Sequence, residues 1–216
     1  YATETFGIII GGSLFYSDGF SAYEPLQSDP DYGKRYDELG LEKDSYTNES
    51  LDVKLGYNIT KNDRVEASVQ TINGYVMFDD YGADKTNDEL NPRYGTPYYT
   101  HSSDRFYQLA YTHTDFVNDI TLQYNLSTFN RSDSFVGSVN EIKVDDKIDY
   151  LAKSFVRFGA SYQLFENSTA NNVDIDKNYD AISAFLTNYN TFNGDTTILT
   201  ESLRYDSYSD FDDSFT

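Results

Sequence analysis

The 216-residue sequence predicts an all-β fold: an antiparallel transmembrane β-barrel segment of about nine strands, belonging to a larger barrel. Three observations carry this reading. Apolar and polar residues alternate with a period of two rather than 3.6. The connections between the alternating stretches are short at one end and long at the other. The chain holds 21 Tyr and 15 Phe, yet no run of about 18 apolar residues that would make a transmembrane helix. Barrel strands never show such a run, because only every second residue meets lipid.

Taken in chain order, a first alternating stretch covers residues 6–16. The clearest follows at 51–59, where Leu51, Val53, Leu55, Tyr57 and Ile59 share one face and Asp52, Lys54, Gly56 and Asn58 the other. Weaker stretches at 64–76 and 104–114 lead to a second clear one at 120–127, with Ile120, Leu122, Tyr124 and Leu126 against Thr121, Gln123, Asn125 and Ser127. After 142–150 comes a third, at 156–164, with Val156, Phe158, Ala160, Tyr162 and Leu164 against Arg157, Gly159, Ser161 and Gln163. Stretches at 179–191 and 196–206 complete the set, and no segment reads as a helix.

Short connections are expected at 60–63, 115–118, 151–153 and 192–195, the last with Asn193-Gly194, the strongest short hairpin signal. Long ones are expected at 17–45, 77–103, 130–138 and 167–177. All four Pro fall in the first two of these, as suits residues that cannot donate to a ladder. Short periplasmic turns opposite long extracellular loops are the layout of bacterial outer-membrane barrels. Lipid accounts for the one-sided apolar stripe, and a wet lumen for the mixed polar one. A soluble sandwich with a solvated face is the alternative. Glu201 and Asp146 fit badly, because the alternation puts both on the apolar face; a bulge or a protein cover would explain them.

Composition narrows the function. With 36 Asp and Glu against 16 Lys and Arg the formal charge is −20, which excludes a phosphate-gripping nucleic-acid binder. The mean hydropathy of −0.62 suggests a soluble or disordered chain, but 17% aromatic content contradicts disorder. Without Cys there is no disulfide, thiolate catalysis or Cys-ligated zinc. No G-x-S-x-G, Gly-rich phosphate loop or H-E-x-x-H is present, so no enzyme is expected. The sequons at Asn48, Asn58, Asn125, Asn130 and Asn167 are discounted, since Asn58 and Asn125 lie inside strands.

One phrase is shared with a known family. Leu203-Arg204-Tyr205-Asp206-Ser207-Tyr208-Ser209-Asp210-Phe211 resembles the LRYD-x-x-S-x-F stretch of TonB-dependent outer-membrane transporters. Ala184-Phe185-Leu186 and 197–200 match the hairpin before it, and Gly12-Ser13-Leu14-Phe15-Tyr16-Ser17-Asp18-Gly19-Phe20 resembles the third barrel strand entering its loop. The order of strands and loops is similar to that of the cobalamin-transporter branch.

The resemblance implies a sector of a 22-stranded barrel with a plugged lumen. The plug, the TonB box and the closing strands are expected to lie outside this chain, the strand count being odd and the last strand ending near residue 206. The implied function is capture of cobalamin, a siderophore or haem at extracellular loops of the bacterial outer membrane, for uptake energised through the TonB complex. In the cobalamin branch acidic loop residues bind calcium, and the matching positions are Glu42, Asp44, Asp79 and Asp80. Calcium takes six to eight hard oxygen ligands, which here would converge from separate loops. Tyr81, Tyr94, Tyr98 and Tyr99 crowd the second long connection and can stack on a flat ligand or on one another, and His101 beside them is the candidate axial ligand for haem. His113 alternates with Tyr111 near a strand end and is expected at the membrane interface. Two rivals remain: a small closed barrel acting as adhesin or anchor, and a soluble sandwich binding partners through its loops.

Overall fold

A computed structural model describes residues 1, 3–19, 33, 44–78, 98–132, 135–168, 178–194 and 196–216. The described residues form a single sheet whose strand order is the chain order: β1 (Phe6–Ser17), β2 (Tyr46–Asn58), β3 (Asp63–Phe78), β4 (Tyr98–Thr114), β5 (Asn118–Arg131), β6 (Phe135–Leu151), β7 (Ser154–Ser168), β8 (Tyr179–Phe192), β9 (Thr197–Tyr208) and β10 (Ser214–Phe215). Every neighbouring pair is antiparallel. β1 and β10 are the two ends of that order and do not pair with each other. The sheet is thus an open up-and-down meander, neither a closed small barrel nor a sandwich.

All nine expected strands are present, most of them longer than the alternation indicated. β2 starts at Tyr46, β4 at Tyr98 and β6 at Phe135, so the expected long connection at 130–138 shrinks to 132–134. In these extensions polar and apolar residues mix on both faces, which erases the period-two signal while the backbone ladder continues. Side chains help to hold them: Ser103 Oγ donates to Asn73 Oδ1 at 2.9 Å, and the Ser13 and Ser50 hydroxyls meet at 2.9 Å. The tenth strand was not expected. It pairs only Ser214 with Asp206 and Phe215 with Tyr205, too short to show any alternation.

The short connections fall where the sequence put them. Asn193 and Gly194 have φ of 52° and 65°, the consecutive left-handed pair that turns a tight hairpin. Between β4 and β5, Asp115 Oδ1 accepts the backbone N–H groups of Val117 and Asn118 at 2.7 and 2.8 Å, and these donors hold its carboxylate below the ordinary range.

Cross-strand partners share a face, so the register sorts the side chains. The outward face carries Leu55, Val69, Leu109, Leu122, Ile142, Tyr162, Ile182 and Leu203. Leu109, Leu122, Ile142 and Ile182 are each 50–54% exposed, and among the described residues no large side chain is fully buried. A Leu or Ile left in water forgoes about 1.5–3 kcal/mol of burial, so a face of this extent requires an apolar cover. The inward face carries Asp52, Glu66, Gln70, Gln108, Asn125, Glu141 and Gln163.

Glu201 and Asp146 do lie on the outward face, with no bulge to remove them. Asp146 sits between Ile120 and Phe158, and Glu201 opposite Asn188. Both are near the short-turn end. Glu201 accepts from Asn188 Nδ2 at 3.2 Å, and Tyr150 donates to Asn188 Oδ1 at 2.9 Å and to Asn190 Oδ1 at 2.5 Å, a polar group that marks the lower border of the apolar band. Asp146 Oδ1 is buried and has no hydrogen-bond partner among the described residues. The one register irregularity, between Asp149 and Leu151, lies nearer the turn and leaves Asp146 in phase.

On the inward face Asp206 is 6% exposed and is held by Arg204, whose Nη2 lies 2.7 Å from Oδ1, and by the Ser183 hydroxyl. Removing one partner of such a pair leaves a buried charge uncompensated.

These faces give three expected outcomes for the full-length protein unfolded by urea in lipid vesicles. Leu122→Arg destabilises by about 2–4 kcal/mol, the range for a cation near the bilayer midplane, whereas Gln123→Arg on the neighbouring inward position changes stability by less than about 1 kcal/mol. Asp146→Leu stabilises by about 1 kcal/mol, because an acid is removed from the lipid face. Arg204→Met destabilises by about 1–2 kcal/mol, and adding Asp206→Leu recovers most of that loss.

Candidate functional site

The inward face is a continuous polar wall. Gln70 Nε2 donates to Asp52 at 2.6 Å. A relay then crosses four strands: Gln108 and Gln123 donate to Asn125 Oδ1 at 3.2 and 2.7 Å, Asn125 donates to Glu141 at 2.7 Å, and Gln163 donates to the other Glu141 oxygen at 2.8 Å. Each Lys or Arg on the inward face of a strand meets a carboxylate: Lys54 and Arg64 meet Glu66, Arg131 meets Asp104, Lys143 and Arg157 meet Asp145, Lys147 meets Asp149, and Arg204 meets Asp206. Gly56 makes room for this wall, since a Cβ there would stand 2.1 Å from the Arg64 guanidinium. A shallow recess of about 650 Å³ opens between Asp52, Gln70, Gln108 and Glu141. The cations of the wall are thus all paired, while the Asp52 and Glu141 carboxylates at the recess accept from neutral Gln and Asn amides.

At the long-connection end the inward face turns aromatic. Phe165 and Tyr179 stack with centroids 4.4 Å apart and planes 8° from parallel. Phe211 meets Tyr179 edge-on at 5.6 Å and Tyr208 at 6.1 Å, and stays 63% exposed. The register explains the cluster: Phe165 pairs with Tyr179, and Tyr208 with Ala181, so all continue the inward phase where β7, β8 and β9 leave the barrel wall. Sequence reasoning did not single these rings out as a site. The signal was present, since Phe165 and Tyr208 put an aromatic ring at the position where polar Gln163 and Asp206 continue the inward alternation.

The expected ligand residues divide. Tyr81 and Tyr94 lie outside the described residues. Tyr98 opens β4, its backbone paired with Phe78. Tyr99 stacks on Tyr75 at 5.6 Å, and His101 pairs with Tyr75; Tyr99 and His101 are exposed and share the outward phase of Tyr107 and Leu109. The His101 backbone N–H donates to Ser132 Oγ at 2.7 Å. These two side chains therefore stand on the opposite face of the sheet from the aromatic cluster. Of the expected calcium ligands, Asp44 lies just before β2 and is half-buried, while Glu42, Asp79 and Asp80 lie outside the described residues. Among the described residues no group of three His, Cys, Asp or Glu can hold a metal ion. His113 lies at the short-turn end, its Nδ1 2.7 Å from Asp63 Oδ1, which also accepts the Tyr111 hydroxyl at 2.7 Å.

Charge is distributed unevenly between the two ends. Connection 18–45 carries eight carboxylates and three Lys or Arg, connection 79–97 five and two, and connection 209–213 three Asp and no base. The turns at the other end carry single charges of both signs: Lys61, Asp115, Lys153 and Asp195. The mouth is acidic and the turn end is near neutral.

No protein-family model and no curated protein matches the chain. Solved structures do. Two crystal structures of variants of the ferric enterobactin receptor PfeA from Pseudomonas aeruginosa each align with 99% of this chain at a TM-score of 0.68 and 12% sequence identity. Neither is a cobalamin transporter, the branch to which strand order pointed. The chain covers 36% of the receptor's length. Its sheet has the fold of a sector of a TonB-dependent receptor barrel.

Proposed function

We propose that this chain is part of an outer-membrane receptor barrel that captures a ferric siderophore at its extracellular mouth for TonB-energised uptake. The observation that supports it best is the open antiparallel meander, apolar outside and polar inside, aligned over 99% of its length with a ferric enterobactin receptor. In this reading Phe165, Tyr179, Tyr208 and Phe211 form an aromatic wall that stacks on the organic part of the chelate. Tyr81 and Tyr94 belong to the connection that first meets it and Tyr98 lies where that connection enters β4, whereas Tyr99 and His101 face outward and take no part. Capture is followed by movement of a plug, and TonB is the partner that drives it; both lie outside this chain.

An acidic mouth repels an anionic chelate, and a divalent cation removes the conflict. Glu42, Asp44, Asp79 and Asp80 supply the hard carboxylate oxygens that calcium prefers, so calcium at these loops is part of the proposal. Cobalamin and haem are the alternative cargoes, and each gives a different experimental result.

The test is equilibrium binding of ferric enterobactin, cyanocobalamin and haemin to the full-length protein, with and without a calcium chelator. Saturable binding of the ferric chelate, weakened by the chelator, is expected. Binding of cyanocobalamin alone, or of haemin alone, overturns the siderophore assignment. Chelator-insensitive binding removes calcium from it. Phe211→Ala is expected to weaken binding by up to about tenfold, the scale of one aromatic contact.

A further inference from the structure

Among the described residues, the strand Lys and Arg side chains obey one rule with one exception. Lys54, Arg64, Arg131, Lys143, Lys147, Arg157 and Arg204 all face inward and all meet a carboxylate. Arg105 alone faces outward. It pairs across with Thr71 on β3 and Thr128 on β5, is exposed, and makes no hydrogen bond or ion pair among the described residues. In a chain with 36 carboxylates and 16 Lys and Arg, a strand cation without a counter-ion stands out.

Its height on the sheet is equally specific. One step down on the same face lies Tyr107, flanked by Val69 and Leu126, the upper edge of the apolar band. One step up lies Ser103, flanked by Asn73 and Asn130, where the outward face has become polar. Arg105 therefore sits on the border between hydrocarbon and headgroups at the long-connection end. Among the described residues the nearest outward carboxylates are Glu49 on β2 and Glu166 on β7, two and three strands away, hence about 10 and 14 Å across the sheet. Glu166 is engaged by the Ser138 hydroxyl at 2.9 Å and by Asn140 Nδ2 at 3.5 Å. Beside Arg105 a recess of about 420 Å³ is lined by Ser103, Thr128, Asn130 and Ser138, with Glu166 on its far wall. Ser103 and Ser138 already donate to Asn73 and Glu166, which leaves the Thr128 hydroxyl and the Asn130 amide beside a guanidinium, the group best shaped to grip a phosphate with two parallel hydrogen bonds.

We propose that Arg105 and this recess bind the phosphate of a phosphorylated glycolipid in the outer leaflet, fixing one lipid against the barrel wall. Arg105 donates to the phosphate oxygens, Thr128 and Asn130 complete the shell, and the acyl chains lie along Tyr107, Val69 and Leu109 below. The proposal rests on the membrane-barrel reading of the fold, and the test separates the two.

Full-length protein in dodecyl maltoside micelles is titrated with bisphosphorylated lipid A, with the same lipid after dephosphorylation, and with inorganic phosphate, and bound lipid is counted by native mass spectrometry. About fivefold tighter binding of the bisphosphorylated lipid is expected, the scale of one basic residue meeting an anionic headgroup. Arg105→Gln is expected to abolish the preference and Arg105→Lys to keep part of it. Because the side chain points away from the lumen, both variants retain the heat-modifiable gel mobility of a folded barrel. Equal affinity for the two lipids in the wild type, or an undiminished preference in Arg105→Gln, overturns the lipid site. Saturation of the site by inorganic phosphate alone overturns its assignment to a lipid. Recovery of the protein as a soluble monomer without detergent overturns the membrane reading beneath it.

Discussion

The backbone ladder governs everything else in this molecule. In a membrane no water is present to satisfy an N–H or C=O, and each orphaned group costs several kcal/mol, so a spanning strand must be bonded along its whole length. The register from β1 to β9 meets that demand, running pair by pair with a single irregularity close to a turn. With the ladder fixed, side chains have no freedom of face: each residue is assigned outward or inward by its number alone, and a slip of one position would exchange the two solvents. The absence of large fully buried side chains among the described residues is a direct consequence. One sheet thick, the wall has no interior, and stability comes from hydrogen bonds along the ladder and from whatever covers each face.

This assignment explains how a chain of charge −20 tolerates a membrane. Its strand carboxylates lie mostly inward, where Lys and Arg meet them. Asp145 and Asp206, both 6% exposed, are each held by at least one basic side chain. Outward acids are confined to the borders or near them. Glu201 belongs to the polar group around Tyr150, and Asp63 to the turn-end group with Tyr111 and His113. Asp146 is the residue that obeys no such rule, one step inside the border between Ile120 and Phe158. Much of the remaining acid lies in the long connections, where it does not burden the wall.

Legibility in the sequence followed the same physics. The stretches at 51–59, 120–127 and 156–164 were plain because one face met lipid and the other water over their full length. Above the apolar band both faces are wet, so Tyr46–Ser50, Tyr98–Asp104 and Phe135–Asn140 lost the alternation although the ladder continues through them. β10 was invisible because two residues carry no period. The shared phrase at 203–211 gains a physical meaning: Leu203 and Tyr205 face outward, while Arg204 and Asp206 face inward and bond to each other. The aromatic wall was harder to see, because its members come from three strands and a connection, and only the register brings Phe165, Tyr179 and Phe211 together. The expected ligand positions were the least legible, since they fall on loop side chains that no periodicity constrains.

The strand extensions bear on function as well as on recognition. A ladder that stopped at the edge of the hydrocarbon would leave the long connections hinged at the membrane surface, where their acidic residues would lie against anionic headgroups. Here the pairing continues upward through Asn73 and Ser103 to Met77 and Tyr99, and through Thr128 and Ser138 to Asn130 and Val136. Each added residue raises the rim by roughly 3.3 Å along the strand. The connections therefore spring from a rigid, hydrogen-bonded collar that stands clear of the lipid. Such a collar separates the two charge problems of the chain: a cation at the border can meet headgroups, while the acidic connections above it face water.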